Sequence, residues 1–175
     1  MTREITKITE TPEADRDEWR TPPEVFALAE RLVGRSFDLD AAADKANALC
    51  RWWCGPTQIG DLEHLKDGLL AEWRYHETVW CNPPFSRGNL PRWTLKAVHE
   101  AIGGCTSCLL LPFTGDDWFC QNVVGRAQIV LLTPRVAFLR PDGSVGESPR
   151  TASCLAIYRP GAKYDGPLTV ERWRV

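Results

Sequence analysis

Histidine is scarce in this 175-residue chain, with only three examples. His64, His76 and His99 are scattered, and none forms a convincing pair with a carboxylate, so a reaction built on a histidine general base is not indicated. Long apolar runs are also missing. A run such as Cys108–Pro112 is far too short to cross a bilayer, and the charged N-terminus has no apolar h-region, so neither a membrane span nor a signal peptide is expected. Excess positive charge is absent as well: 21 Lys and Arg against 23 Asp and Glu leave a net charge of −2. The molecule as a whole is therefore not an electrostatic nucleic-acid binder. No internal repeat is visible.

What is present is a folded-protein composition, 43% hydrophobic and 25% charged, in a length that suits one domain with a real core. Eight tryptophans are many for this length; most are expected to wall the core or a pocket. The seven cysteines are an odd number and sit beside apolar residues, as in Trp80-Cys81 and Cys108-Leu109, which reads as reduced, buried thiols in a cytoplasmic protein. Cys50/Cys54 and Cys105/Cys108 are the pairs available to a zinc site. No histidine stands at ligand spacing to either pair, and no metal is expected. Charge is unevenly placed: from Arg126 onward seven Arg and one Lys face four Asp and Glu, a local net of +4. That suits either a phosphate-facing surface or an ordinary solvated one.

Residues 1–18 are polar without apolar periodicity and are expected to be a mobile arm; residues 19–175 are expected to form the domain. Thr21-Pro22-Pro23-Glu24 reads as a helix start, with Thr21 as N-cap, followed by an apolar face to Leu32 and a stop at Gly34. Ser36–Asp40 reads as a short strand that opens into Ala41-Ala42-Ala43. Those alanines either let a ligand lie against the backbone or begin a helix running to Leu49. Residues 51–64 read as irregular. Further strands are expected at Thr78–Cys81, Thr106–Leu111, Ala127–Leu132, Ser153–Tyr158 and Leu168–Trp173. Helices are expected from Leu90 or Pro91 to Ile102 and from Asp116 to about Val124, and a turn at Pro141–Ser144. The alternation implies an α/β fold with a mostly parallel sheet, helices on both faces, and an antiparallel edge where the last strands lack intervening helices.

The stretch that organises the rest is Asn82-Pro83-Pro84-Phe85, directly after the Thr78–Cys81 strand. Two prolines fix φ and remove donors, so the ladder must stop in a rigid turn at a strand's carboxyl end, where open α/β sheets place ligands. The Asn82 amide oxygen and the Pro83 carbonyl can both accept from one planar amino group, and the Phe85 ring can stack on its carrier. Two acceptors on an amino group favour a more tetrahedral, nucleophilic nitrogen, an effect that grows as a methyl group arrives.

This stretch resembles the (D/N/S)-P-P-(Y/F/W) motif of S-adenosylmethionine-dependent amino methyltransferases. The ordered set Trp19-x-Thr21-Pro22, Phe37–Ala42, Asn47, Asp67-Gly68-Leu69 with Trp73, and Asn82–Phe85 is similar to the phage-type DNA N6-adenine methyltransferase (Dam-like) family. Leu110–Pro112, Asp117-Trp118-Phe119 and Arg135–Phe138 extend the likeness over about residues 19–160.

The resemblance implies a single-domain Rossmann-like methyltransferase fold, S-adenosylmethionine as cofactor, DNA as partner and host cytoplasm as location. It implies a flipped adenine held by Asn82, Pro83, Pro84 and Phe85. It implies cofactor contacts from Trp19, Thr21, Pro22, Asp40, Ala41, Ala42, Asp67 and Asn82, with Asp67 accepting from the cofactor's adenine amino group. Phe85 stands where tyrosine is commoner. No large target-recognition domain is expected, so Arg87, Arg92, Arg135, Arg140 and Arg150 are the candidate DNA contacts. The same pocket also suits an RNA base or a protein glutamine, and a methyltransferase-like fold can serve as a binding module without turnover.

Overall fold

The computed structural model describes residues 19–55, 67–86, 88–146, 149–161 and 163–174. The expected N-terminal arm, His64 and Arg87 lie outside them. The first helix, α1 (Pro23–Val33), begins one residue later than its capping signal implied. Its N-cap is Pro22, no side chain caps it, and Thr21 is buried instead. Proline's fixed φ starts this helix without Thr21 as cap. Gly34, in the left-handed conformation, closes it through its N–H to the Glu30 carbonyl. Val25, Leu28 and Ala29 are buried, and a fully buried Val or Leu contributes about 1.5–3 kcal/mol.

Strands β1 (Leu39–Asp40) and β2 (Trp52–Trp53) are two residues each. β2 corrects the irregular reading of residues 51–64: it exists because β1 offers it a parallel edge. Residues 41–49 form turns, not the continuing helix that the alanines also allowed. A 3-10 turn at Trp73–Tyr75 precedes β3 (Thr78–Cys81), which spans the whole apolar run read as a strand. Then come α2 (Asn89–Ile102), β4 (Thr106–Pro112), α3 (Asp117–Asn122), β5 (Gln128–Thr133), β6 (Ser153–Tyr158) and β7 (Thr169–Arg172). On α2, Trp93, Ala97, Val98 and Ala101 are buried, while Leu95 is 45% exposed.

The strands form one sheet in the order β2-β1-β3-β4-β6-β5-β7. All pairings are parallel except those of β6, which runs antiparallel to both β4 and β5. The reversal thus falls in the half of the sheet built by the last strands, with β5 and β7 outside it.

Two apolar cores flank the sheet. α1 packs with Phe37, Trp80, Leu110, Leu155 and Trp173 on one face. α2 and α3 pack with Leu39, Val79, Leu109, Leu111 and Tyr158 on the other. Trp73 and Trp93 stack in this second core, ring centroids 6.3 Å apart. Cys105 belongs to the second core and Cys108 to the first, so the sheet itself separates that pair. Burial also holds Cys54 up at a pKa of about 12, which disfavours the thiolate a metal needs. Among the described residues no helix is long and apolar enough to cross a membrane.

Candidate active site at the β1–β3 switch point

β1 continues outward to β2 on one side, while β3 lies on its other side and leads on to β4. The chain therefore reverses its direction of growth between β1 and β3. In open α/β sheets that reversal leaves a crevice at the strands' carboxyl ends. Asp40 pairs with Trp80 across this point, and the Ala41 N–H donates to the Trp80 carbonyl at 2.8 Å. The register sets Asp40-Ala41-Ala42 beside the turn that begins at Asn82, so two of the sequence-derived groups meet here.

On the Asn82 side, Pro83 is buried and Asn82, Pro84 and Phe85 are half-buried. Asn82 Nδ2 donates to the backbone carbonyl of Trp19 at 3.3 Å. Among the described residues no donor reaches its Oδ1. The Phe85 ring meets Phe138 edge-on at 6.0 Å, and the Trp19 ring lies 6.0 Å from Phe138. Phe138 was not among the expected site residues; its signal was the aromatic that ends Arg135-Val136-Ala137-Phe138. Trp19 was expected at the cofactor, and its described contacts are with Asn82 and Phe138.

The other side is a loop shaped by its own side chains. Asp40 is only 3% exposed. Its carboxylate accepts from the N–H groups of Leu49 at 3.1 Å and Ala42 at 3.4 Å. Burial pushes its pKa up to about 7, and these two N–H groups offset part of that. Asp44 accepts from Ala46 N–H at 2.6 Å, and Asn47 Oδ1 accepts from Asp44 N–H at 2.7 Å.

Ala41 is buried and Ala42 half-buried. Gly55 and Gly68 press on this loop from outside. A Cβ at Gly55 would collide with the Ala43 carbonyl, and one at Gly68 with the Ala41 carbonyl. The glycines that make this loop possible thus stand around it, not within it.

Gly68 brings Asp67 to the same edge. Asp67 is exposed, and its Oδ1 accepts from Leu69 N–H at 2.8 Å. The Trp73 indole donates to the Gly68 carbonyl at 2.9 Å and ties the Asp67-Gly68-Leu69 turn to the second core.

The candidate DNA contacts divide. Arg92, Arg135, Arg140 and Arg150 are all exposed, and they differ in their hydrogen bonds. Arg135 Nη1 donates to the Arg150 carbonyl at 3.1 Å, and Arg140 Nη1 to the Val145 carbonyl at 2.8 Å, so these two guanidinium groups also brace the 134–150 segment.

The sequence model of the DNA N-6-adenine-methyltransferase (Dam) family matches residues 8–170 of this chain. A DNA N-6-adenine-methyltransferase of Escherichia phage T1 is 33% identical over 126 residues, 71% of this chain and 48% of that protein. One from Haemophilus phage HP1 is 31% identical over 160 residues, 88% of this chain and 85% of that protein. The chain thus spans about half the length of the first relative and most of the second. A Listeria monocytogenes protein described as a class I S-adenosylmethionine-dependent methyltransferase superposes with a TM-score of 0.51 at 14% identity, covering 89% of this chain and 66% of that one. That likeness carries the fold, a class I methyltransferase architecture. With the family model covering nearly the whole length, the chain belongs to the DNA N-6-adenine-methyltransferase (Dam) family.

Proposed function

We propose that this chain transfers a methyl group from S-adenosylmethionine to the N6 amino group of adenine in DNA, with residues 19–175 as the catalytic unit. The observation that carries this reading is the Asn82 amide at the switch point: its Nδ2 is tied to Trp19 and, among the described residues, no donor takes its oxygen, which lies on the same turn as the Phe85 ring.

The residues opposite Asn82 fit the cofactor's demands. The Ala41–Ala43 loop is small and rigidly held, half-buried Ala42 faces solvent in part, and the exposed Asp67 carboxylate is brought to the same edge by Gly68. Asp67 suits the adenine amino group of the cofactor. Asp40, sequestered among backbone donors, serves by shaping the loop. Thr21 and Pro22 are buried just before α1, beside the Trp19 carbonyl that holds Asn82, and would pack under the cofactor's methionine end. When bound, the cofactor supplies an electrophilic methyl group.

The chain's residues prepare the acceptor. Asn82 Oδ1 and the Pro83 carbonyl accept the two amino hydrogens and draw electron density towards the nitrogen. Pro84 keeps the turn stiff, so this geometry costs little reorganisation. Phe85 stacks on the base. After transfer the nitrogen is acidic and its proton leaves to water, so no histidine is required. A base within a duplex cannot reach the switch point, so the adenine must be flipped out. Arg92, Arg135, Arg140 and Arg150 supply phosphate contacts on the basic C-terminal half.

The test is nucleoside mass spectrometry of DNA and RNA from a methylation-deficient host expressing the chain or its Asn82→Ala variant. N6-methyladenine in DNA, present only with Asn82 intact, is the expected result. A mark confined to RNA, or no mark in DNA while the purified chain binds the cofactor, would overturn the assignment of DNA adenine as acceptor.

A further inference from the structure

The two groups that would grip the base, the Asn82 amide and the Phe85 ring, lie on one loop, yet both are held by another part of the chain. Trp19, whose carbonyl accepts from Asn82, is followed by Arg20. Arg20 forms a reciprocal bridge with Leu139: the Arg20 N–H donates to the Leu139 carbonyl at 2.8 Å and the Leu139 N–H to the Arg20 carbonyl at 3.0 Å. Leu139 also bridges Val145, and the Gly146 N–H donates to the Phe138 carbonyl at 2.7 Å. Residues 20, 139 and 145 thus lie side by side in a small antiparallel patch joined by two bridges. From it the Phe138 ring reaches both Trp19 and Phe85, at 6.0 Å each. Phe138 is itself buried in the core on the α1 face.

We propose that Phe138 is a positioning residue for the base pocket. It props the Phe85 ring directly, and it sets the Asn82 amide through Trp19, whose carbonyl fixes which end of the amide faces the acceptor. This rests on the function proposed above. The Phe138 hairpin also carries Arg140, so a DNA contact at its tip bears on the geometry of the amide.

The experiment combines two readouts on Phe138→Ala, Phe138→Tyr and Gly146→Ala. The last variant keeps every core side chain and places a Cβ 2.8 Å from the Phe138 carbonyl, so the hairpin must shift. The first readout is the NMR signal of the Asn82 side-chain amide, assigned by its loss in Asn82→Ala. It is expected to move and exchange faster in Phe138→Ala and Gly146→Ala, and to stay near its wild-type position in Phe138→Tyr.

The second readout is single-turnover methylation of a DNA duplex alongside cofactor affinity. Because small misplacements of reacting groups are costly, Phe138→Ala should lower the rate by about tenfold or more with cofactor affinity within about threefold, and Phe138→Tyr should recover most of it. An Asn82 signal unchanged in both Phe138→Ala and Gly146→Ala overturns the inference whether or not the wild type is active. A wild type that binds cofactor but methylates no adenine in DNA overturns the functional reading alone, and the NMR result still decides the role of Phe138. Should Phe138→Ala fail to fold, Gly146→Ala decides it.

Discussion

The two walls of the site are built by different physics. The Asn82–Phe85 wall packs towards the core on the α1 face: Trp19 and Phe85 lean on the cluster that holds Phe138 and Trp80. Among the described residues, proline rings, apolar contacts and the hydrogen bond from the Asn82 amide to the Trp19 carbonyl hold it, and none of these titrates. The Ala41–Asn47 wall packs towards the opposite core, with Ala41, Cys54 and Trp73. It is held by carboxylates and an amide bonded to backbone N–H groups, and by two glycines that admit close approach. One wall is stiff by covalent constraint, the other by a polar network around a nearly inaccessible carboxyl. The first suits a group that must present acceptors in one geometry to a transition state. The second suits a surface that must accommodate a large ligand along its backbone.

The comparison can be broken at its strongest point by Asn82→Ala. Transfer should be lost while calorimetry finds cofactor affinity within a few-fold; normal turnover would remove Asn82 from the chemistry. Gly68→Ala strikes the other wall. Its Cβ must displace the Ala41 carbonyl or the Trp93 ring, so stability should fall by about 1–3 kcal/mol and cofactor binding should weaken with it. Unchanged melting and affinity would mean that the close approach is not required.

Asp67→Ala sharpens the same wall without touching the fold's interior. Cofactor affinity should fall by about 1–3 kcal/mol if a hydrogen bond to the cofactor's adenine is lost, with melting close to wild type. The last contrast lies in pH dependence. Asp40 titrates at about 7 in the folded chain against an ordinary value of 3.8. Between these values the folded chain holds a proton that the unfolded chain has released, so folding stability should decline as pH rises from about 4 to 7 and level off above. Calorimetric melting over that window should show the decline in the wild type and a flatter profile in Asp40→Asn. Asn82→Ala, which keeps Asp40, should show the same decline as the wild type.

How much was legible in advance follows from the kind of constraint. The Thr78–Cys81 and Ser153–Tyr158 strands could be read because continuous apolar runs flanked by breakers leave little choice. Pro83 and Pro84 announce a rigid strand end by themselves. Trp52–Trp53 could not be read as a strand, since two residues carry no pattern and pair only because β1 is there. Thr21 has the chemistry of an N-cap, yet packing buried it and left Pro22 at that position. Gly68 was visible as part of a motif, but its reason, the carbonyl of Ala41 from a distant segment, was not. Phe138 stands some fifty residues after Phe85 in the chain, and nothing local marks it as its neighbour.

By itself the sequence determined the alternation of strands and helices, the stiff Asn-Pro-Pro-Phe turn and the residue types able to hold an amino group. These depend on local sterics and apolar periodicity, which act over a few residues. Only the tertiary structure decided that the Trp19 carbonyl accepts from Asn82, that the Phe138 ring meets Phe85, that the buried Asp40 carboxylate accepts from N–H groups of its own loop, and that the two segments meet between β1 and β3. Those outcomes depend on which distant segments pack together, and packing is settled by the whole chain at once.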